Sequence, residues 1–196
     1  MHALQVVGET KINDMTVKQV LSLIDGVFEG PRNQMRGLSA IAREVGAAEF
    51  VVSAFLLAYP EKYRRSNLTP AGMALWVRKD SPKSPSWIPA FVTRLIQRGK
   101  ARELAQRRAQ LDTLIQLKPS EVDLLIALAM YGPTSDAELA IKSGSAGEDL
   151  EPELLDLVKK GLVATYGFLL QKGADTHFVD IYEVASGFKS LFSTYT

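Results

Sequence analysis

The sequence predicts a mostly α fold: two similarly ordered helical units joined by a helical linker, with a small β-hairpin in the C-terminal unit. Two observations predict it. The first is a spacing that occurs twice, in Leu38–Leu56 (LSAIAREVGAAEFVVSAFL) and in Asp136–Leu155 (DAELAIKSGSAGEDLEPELL). In each stretch an alanine is followed four residues later by glycine and ten residues later by an aliphatic residue: Ala42, Gly46 and Val52, then Ala140, Gly144 and Leu150. A small residue lets two helices cross, and glycine accepts the left-handed backbone of a tight turn between them. The aliphatic residue then anchors the second helix on the core. The second observation is order, because each stretch follows an apolar helical pattern stopped by Gly-Pro, at Gly30-Pro31 and Gly132-Pro133. The expected divisions are residues 1–80, a linker at 81–117, and residues 118–196.

Taken in order, Thr16 and Gln19 make a T-x-x-Q capping box ahead of Val17, Val20, Leu21, Ile24, Val27 and Phe28 at helical spacing. The second helix of the first repeat is apolar from Phe50 to Leu57 and stops at Tyr59-Pro60. Thr69 can cap, and Pro70 can open, a short helix carrying Met73, Leu75 and Trp76. Pro82 and Pro85 among serines and charges mark the linker, and Ser86 can cap a helix carrying Phe91, Val92, Leu95 and Ile96. Gly99 is expected to break it before a second helical stretch over residues 100–117. Past Pro119, Val122, Leu125, Ile126 and Ala129 form an amphipathic helix, and Ser135 with Glu138 makes a second capping box. Gly161 closes the last helix of the second repeat as a left-handed cap. Residues 162–170 and 176–184 are β-branched and aromatic around Lys172-Gly173, the pattern of a hairpin. A final helix is expected from about Ser186, with Phe188, Leu191 and Phe192.

The 196 residues leave room for one large domain or two small ones, and 46% hydrophobic with 23% charged content is that of an ordinary soluble globular protein. No apolar run reaches the roughly 18 residues of a bilayer span, and no basic flank precedes an apolar block at the N-terminus. A cytoplasmic location without membrane contact is therefore expected. The chain has no cysteine, so disulfides, thiolate catalysis and thiolate metal sites are excluded. The net charge of +1 conceals an asymmetry. Residues 1–77 hold 8 Lys/Arg against 7 Asp/Glu, residues 78–108 hold 9 against 2, and residues 109–196 hold 6 against 13. A basic middle beside an acidic end fits a polyanion on one side and a protein on the other, although solvated helix faces give a weaker form of the same pattern.

Helix, helix-turn-helix, hairpin, helix is the order of a winged helix. Residues 119–184 resemble a winged-helix domain of the MarR or PadR type. The resemblance is carried by Glu138-Leu139-Ala140, Gly144, Leu154-Leu155-Asp156-Leu157, Lys160-Gly161-Leu162-Val163 and the hairpin. Residues 16–76 are similar but degenerate: Leu68-Thr69-Pro70-Ala71-Gly72 resembles the strand-to-helix exit of MarR-type regulators, with little room for a full wing before it. The resemblance covers about two-thirds of the chain at superfamily specificity. It implies DNA binding, as in most members, or protein docking, as in a substantial minority, and it implies no chemistry.

A helix-turn-helix reads bases with Arg, Lys, Asn or Gln early in its second helix. The family's pattern puts Ala48, Glu49, Phe50, Ser53, Ala54 and Leu57 there in the first copy. In the second it puts Ala146, Gly147, Glu148, Glu151 and Leu155, with Asp149 nearby. Neither set suits a base edge. Phosphates can still be gripped by Arg32, Asn33, Gln34 and Arg36 before the first motif and by Lys62, Arg64 and Arg65 after it. Arg94, Arg98 and Arg102 add cations at four-residue spacing in the linker. The apolar second helix of the first copy is either buried, by the linker helix or a second subunit, or a docking surface. A homodimer would set two basic units at the spacing that palindromic sites require. Glu148, Asp149, Glu151 and Leu155 are the expected contact with a protein partner or a sister subunit.

For catalysis the sequence offers little. His177 with Asp175 and Asp180 could be imagined around a metal, but a strand puts residues 175 and 177 on one face and 180 on the other. No P-loop, G-x-G-x-x-G or G-x-S-x-G occurs. The expectation is a protein with no enzymatic activity, cofactor or metal that associates with double-stranded DNA through phosphates, as a transcriptional regulator or a replication or partition accessory factor. The alternative is a winged-helix adaptor that binds only proteins.

Overall fold

A computed structural model describes residues 12–29, 35–66, 75–79, 90–145, 149–172 and 175–192, except for the side chains at 90–100, 102, 103, 170–172 and 175–177. The described residues form seven α-helices and six strands in two units, Met1–Leu117 and Lys118–Thr196.

The first unit begins with α1 (Val17–Val27). The Gln19 amide donates to Thr16 Oγ1 at 3.3 Å, and the Thr16 amide donates to Gln19 Oε1 at 2.8 Å, so the capping box is complete. Val20, Ile24 and Val27 are its buried stripe. β1 (Arg36–Gly37) leads into α2 (Leu38–Val45), and Gly46 turns the chain at φ 72°. α3 (Glu49–Ala58) starts after only Ala47 and Ala48. β2 (Tyr63–Arg65) and β3 (Leu75–Arg78) then run antiparallel, and β1 pairs with β3, giving the order β1-β3-β2.

Two expectations fail in this unit. No short helix carries Leu75 and Trp76, because both lie in β3, where Trp76 pairs with Arg36 and with Arg65. Trp76 is buried and its neighbours in the strand are partly exposed. A short apolar run does not distinguish strand from helix until its partners are known. Thr69, Pro70 and Met73 lie outside the described residues. Nor does Gly99 break the next helix: α4 (Ala90–Ile115) runs through it unbroken. An interior glycine costs only about 1 kcal/mol against alanine, which a long helix can absorb. α4 packs on α3 and α1, with Leu111, Leu114 and Ile115 buried, so the linker helix belongs to the first unit.

The second unit repeats the order. α5 (Pro119–Tyr131) has proline in its first turn, and the Lys118 amide donates to Glu121 Oε2 at 2.9 Å. Gly132, with φ 75°, ends it. β4 (Thr134–Ser135) leads into α6 (Asp136–Ser143). The Glu138 amide donates to Ser135 Oγ at 3.2 Å, but the Glu138 carboxylate turns to Lys142 Nζ at 2.7 Å, so only half of the expected box forms. Gly144 turns at φ 83°. α7 (Glu151–Lys159) begins only after Ser145–Leu150, a longer passage than Ala47-Ala48 in the first unit. The ten-residue spacing therefore misplaces the anchor. Val52 is the fourth residue of α3, and its counterpart in α7 is the fully buried Leu154; Leu150 is buried at the N-cap instead.

Gly161, with φ 71°, turns the chain into β5 (Val163–Lys172). β6 (Asp175–Val184) pairs with β5 in unbroken antiparallel register from Val163↔Val184 to Lys172↔Asp175. The hairpin expected from the sequence is present, and β4 flanks β6 to give the order β4-β6-β5. Where a closing helix is expected from about Ser186, the described residues form a turn at 186–188 and then a 3-10 helix, Lys189–Phe192, seating Phe188, Leu191 and Phe192. Among the described residues, each unit therefore has a helix, a two-residue strand, two helices, two strands and the same sheet order, with α4 added at the end of the first unit.

Candidate nucleic-acid interface

The helix expected to face a duplex in the first unit has almost no open surface. In α3, Phe50, Val51, Val52, Ser53, Ala54, Phe55, Leu56 and Ala58 are all buried, leaving Glu49 and Leu57 partly exposed. Of the explanations open at the sequence level, burial by the linker helix holds, since α4 lies along α3. Arg108 of α4 fastens the end of α3. Its Nε donates to the Ala58 carbonyl at 3.0 Å, and its Nη2 meets Glu61 Oε1 at 2.7 Å. Its guanidinium carbon also stands 4.6 Å from the centre of the Tyr59 ring. A carbonyl in the last turn of a helix needs such a donor. In the sequence Arg108 is only one member of a basic block, because nothing local marks a contact across fifty residues.

The cations singled out from the sequence have different fates. Arg32, Asn33 and Gln34 lie outside the described residues. Arg36 Nη1 pairs with Glu44 Oε1 at 2.8 Å, and Lys62 Nζ pairs with Asp25 Oδ2 at 2.9 Å. Tyr63 adds its hydroxyl to Asp25 Oδ1 at 2.5 Å. Burial works to raise the Asp25 carboxyl, but hydrogen bonds from Tyr63 and Lys62, with the charges of Lys62 and Arg78, outweigh it and hold it below its ordinary value. Burial and the Asp25 charge push the Tyr63 phenol well up. Arg78 Nη1 stands 3.8 Å from Glu29 Oε1. Arg64 and Arg65 are exposed on β2, the outer strand of its sheet, and as neighbours in a strand they point to opposite faces. Arg94, Arg98 and Arg102 share one side of α4 by their spacing, with their side chains outside the description. The expected grip is thus not assembled as one surface among the described side chains: Arg36 and Lys62 are engaged by carboxylates of their own unit.

In the second unit α7 is open. Glu151, Leu155 and Lys159 are exposed at four-residue intervals, a stripe that passes from acidic through apolar to basic. Asp149 is exposed, and its Oδ1 accepts the Glu151 amide at 3.2 Å; Glu148 is outside the described residues. Glu153 is held by Ser120 Oγ at 2.9 Å. On the core side, Glu121 is buried and paired with Lys160 Nζ, just past the end of α7, which ties that helix to α5. His177 and Asp175 occupy β6, with side chains outside the description.

No protein-family model matches the chain, and no curated protein or solved structure is significantly similar to it.

Proposed function

We propose that the chain is a non-catalytic tandem winged-helix subunit that docks proteins, an adaptor whose second unit presents α7 to its partner. The winged-helix reading is supported by the repeated element order, the shared sheet order and the positive-φ glycines at 46 and 144. The observation that carries the adaptor reading is the burial of α3 beneath α4. A helix covered on all sides cannot enter a major groove, whose readout needs several of its side chains at base edges. The open helix, α7, offers Glu151 and Leu155 instead, and a carboxylate repels phosphate. The competing reading, DNA held through phosphates, rests on Arg64 and Arg65 on β2, the basic side of α4, and Arg32, Asn33 and Gln34 outside the described residues.

Titration of a labelled duplex with the full chain in dilute salt separates the two. The adaptor predicts no binding even at the lowest salt. Affinity that falls steeply with salt, and weakens when Arg64 and Arg65 become alanine, would replace it with the phosphate-gripping reading. On the positive side, a protein captured by the wild type should be lost with Leu155→Asp while the circular dichroism spectrum stays the same.

A further inference from the structure

We propose that the outer edge of β5 is where a second copy of this chain adds to the first, the two β5 strands running antiparallel about a two-fold axis. Edge strands that must remain alone are blunted by brevity, charge, proline or a bulge. β2, the edge of the first sheet, is blunted in this way: it has three residues, two of them arginine. β5 is not. It spans ten residues, keeps unbroken register with β6, and carries no proline and no charge from Val163 to Gln171.

The side chains agree with the backbone. β4 accompanies β6 only at Ile181 and Tyr182, so the hairpin beyond Tyr166↔Ile181 is a two-stranded arm. Such an arm is marginal in water by itself. Large apolar side chains stand out on both of its faces: Tyr166 and Phe168 are 49% and 52% exposed on one, and Leu169 and Phe178 are 72% and 67% exposed on the other, where Asp180 of β6 is the exposed charge among the described side chains. Phe178 lies across Gly167, where an added Cβ would stand 2.2 Å from its Cζ. Antiparallel pairing at this edge sets the exposed Tyr166, Phe168 and Leu169 of each copy beside cross-strand neighbours of the other, the apolar pairs that stabilise a sheet.

Charge excludes polyanionic occupants. Lys118–Thr196 holds six lysines against twelve aspartates and glutamates and has no arginine, so a nucleic acid or an anionic lipid surface would be repelled. The uncharged β5 edge is where two such acidic units can approach without opposing carboxylates. Antiparallel pairing of a strand with its own copy is isologous and closes at two. A register centred on Phe168 sets residue 166 of one copy against residue 170 of the other, and residue 165 against residue 171. The pairing joins the two sheets into one of six strands and is independent of what α7 binds.

Sedimentation velocity of the full chain, from low micromolar to millimolar concentration, is the test. A reversible dimer is expected, and both Phe168→Lys and Leu169→Glu should give monomers whose circular dichroism matches the wild type. A wild type that stays monomeric throughout overturns the proposal and leaves the edge to a different protein. A dimer that survives both exchanges overturns it in favour of another surface. Because the sequence lacks cysteine, Thr165→Cys and Gln171→Cys chains can be oxidised alone or mixed. Preferential cross-linking in the mixture supports the register, and preferential self-linking overturns it.

Discussion

α3 and α7 occupy the same place in the order of their units and have opposite fates. α3 is apolar around its circumference and sealed by α4; α7 buries Leu154 and Leu157 and leaves Glu151, Leu155 and Lys159 outside. The difference teaches that a shared element order does not decide whether the helix after the glycine turn is a surface. The chain beyond the small sheet decides that. After β3 the first unit continues into a long helix that returns to cover α3, whereas the second ends in a single short 3-10 turn among its described residues.

The sharpest way to break this contrast is a matched pair of truncations. Phe55→Ala should lower the unfolding free energy by about 3–5 kcal/mol, the usual cost of emptying a closed aromatic site. Leu155→Ala, at a side chain 40% exposed, should cost less than about 1 kcal/mol. Urea denaturation of each full chain measures both, and equal losses would mean that α7 is as covered as α3. Next in size is Glu121→Ala, which strips Lys160 of its partner and the Lys118 amide of its acceptor. A loss of about 2–3 kcal/mol is expected from a buried pair whose lysine remains partly solvated.

Arg108→Ala sharpens the comparison from the other side. It should cost about 1–2 kcal/mol, and its diagnostic is hydrogen exchange: the amides of α3 should exchange faster and those of α7 at their original rate. Asp25 comes next, with a smaller effect than Arg108. Its carboxyl titrates below its ordinary value of 3.8 in the folded chain, so its contribution is fully present above that value and is lost as pH falls through the lowered one. Asp25→Asn should therefore cost about 1 kcal/mol at neutral pH and flatten the acid limb of the stability profile below about pH 4. A profile unchanged by the substitution would remove Asp25 from the account.

The parts of this fold legible in the sequence are those decided within a few residues. Thr16 and Gln19 cap each other at a separation of three, Gly46, Gly144 and Gly161 take the backbone only glycine adopts readily, and β5 pairs with β6, the next strand in the chain. The illegible parts depend on distant chain. Leu75 and Trp76 become a strand only because Arg36 and Arg65 flank them, and the length of the second turn is not set by the alanine and glycine before it. The candidate site is less legible still. Arg36 and Lys62 carry the charge a phosphate grip needs, but their carboxylate partners, Glu44 and Asp25, neutralise them locally. Composition counts charges and is blind to pairing.

Because α4 comes late in the chain, α3 leaves the ribosome well before Leu111, Leu114 and Ile115 exist to shield it. At roughly 5–20 residues per second that interval lasts several seconds. A nascent chain, or a fragment cut near residue 80, carries a bare greasy helix in that state. Material for solution work on the first unit should therefore extend to Leu117, and expression at low temperature with ample chaperone should raise its yield.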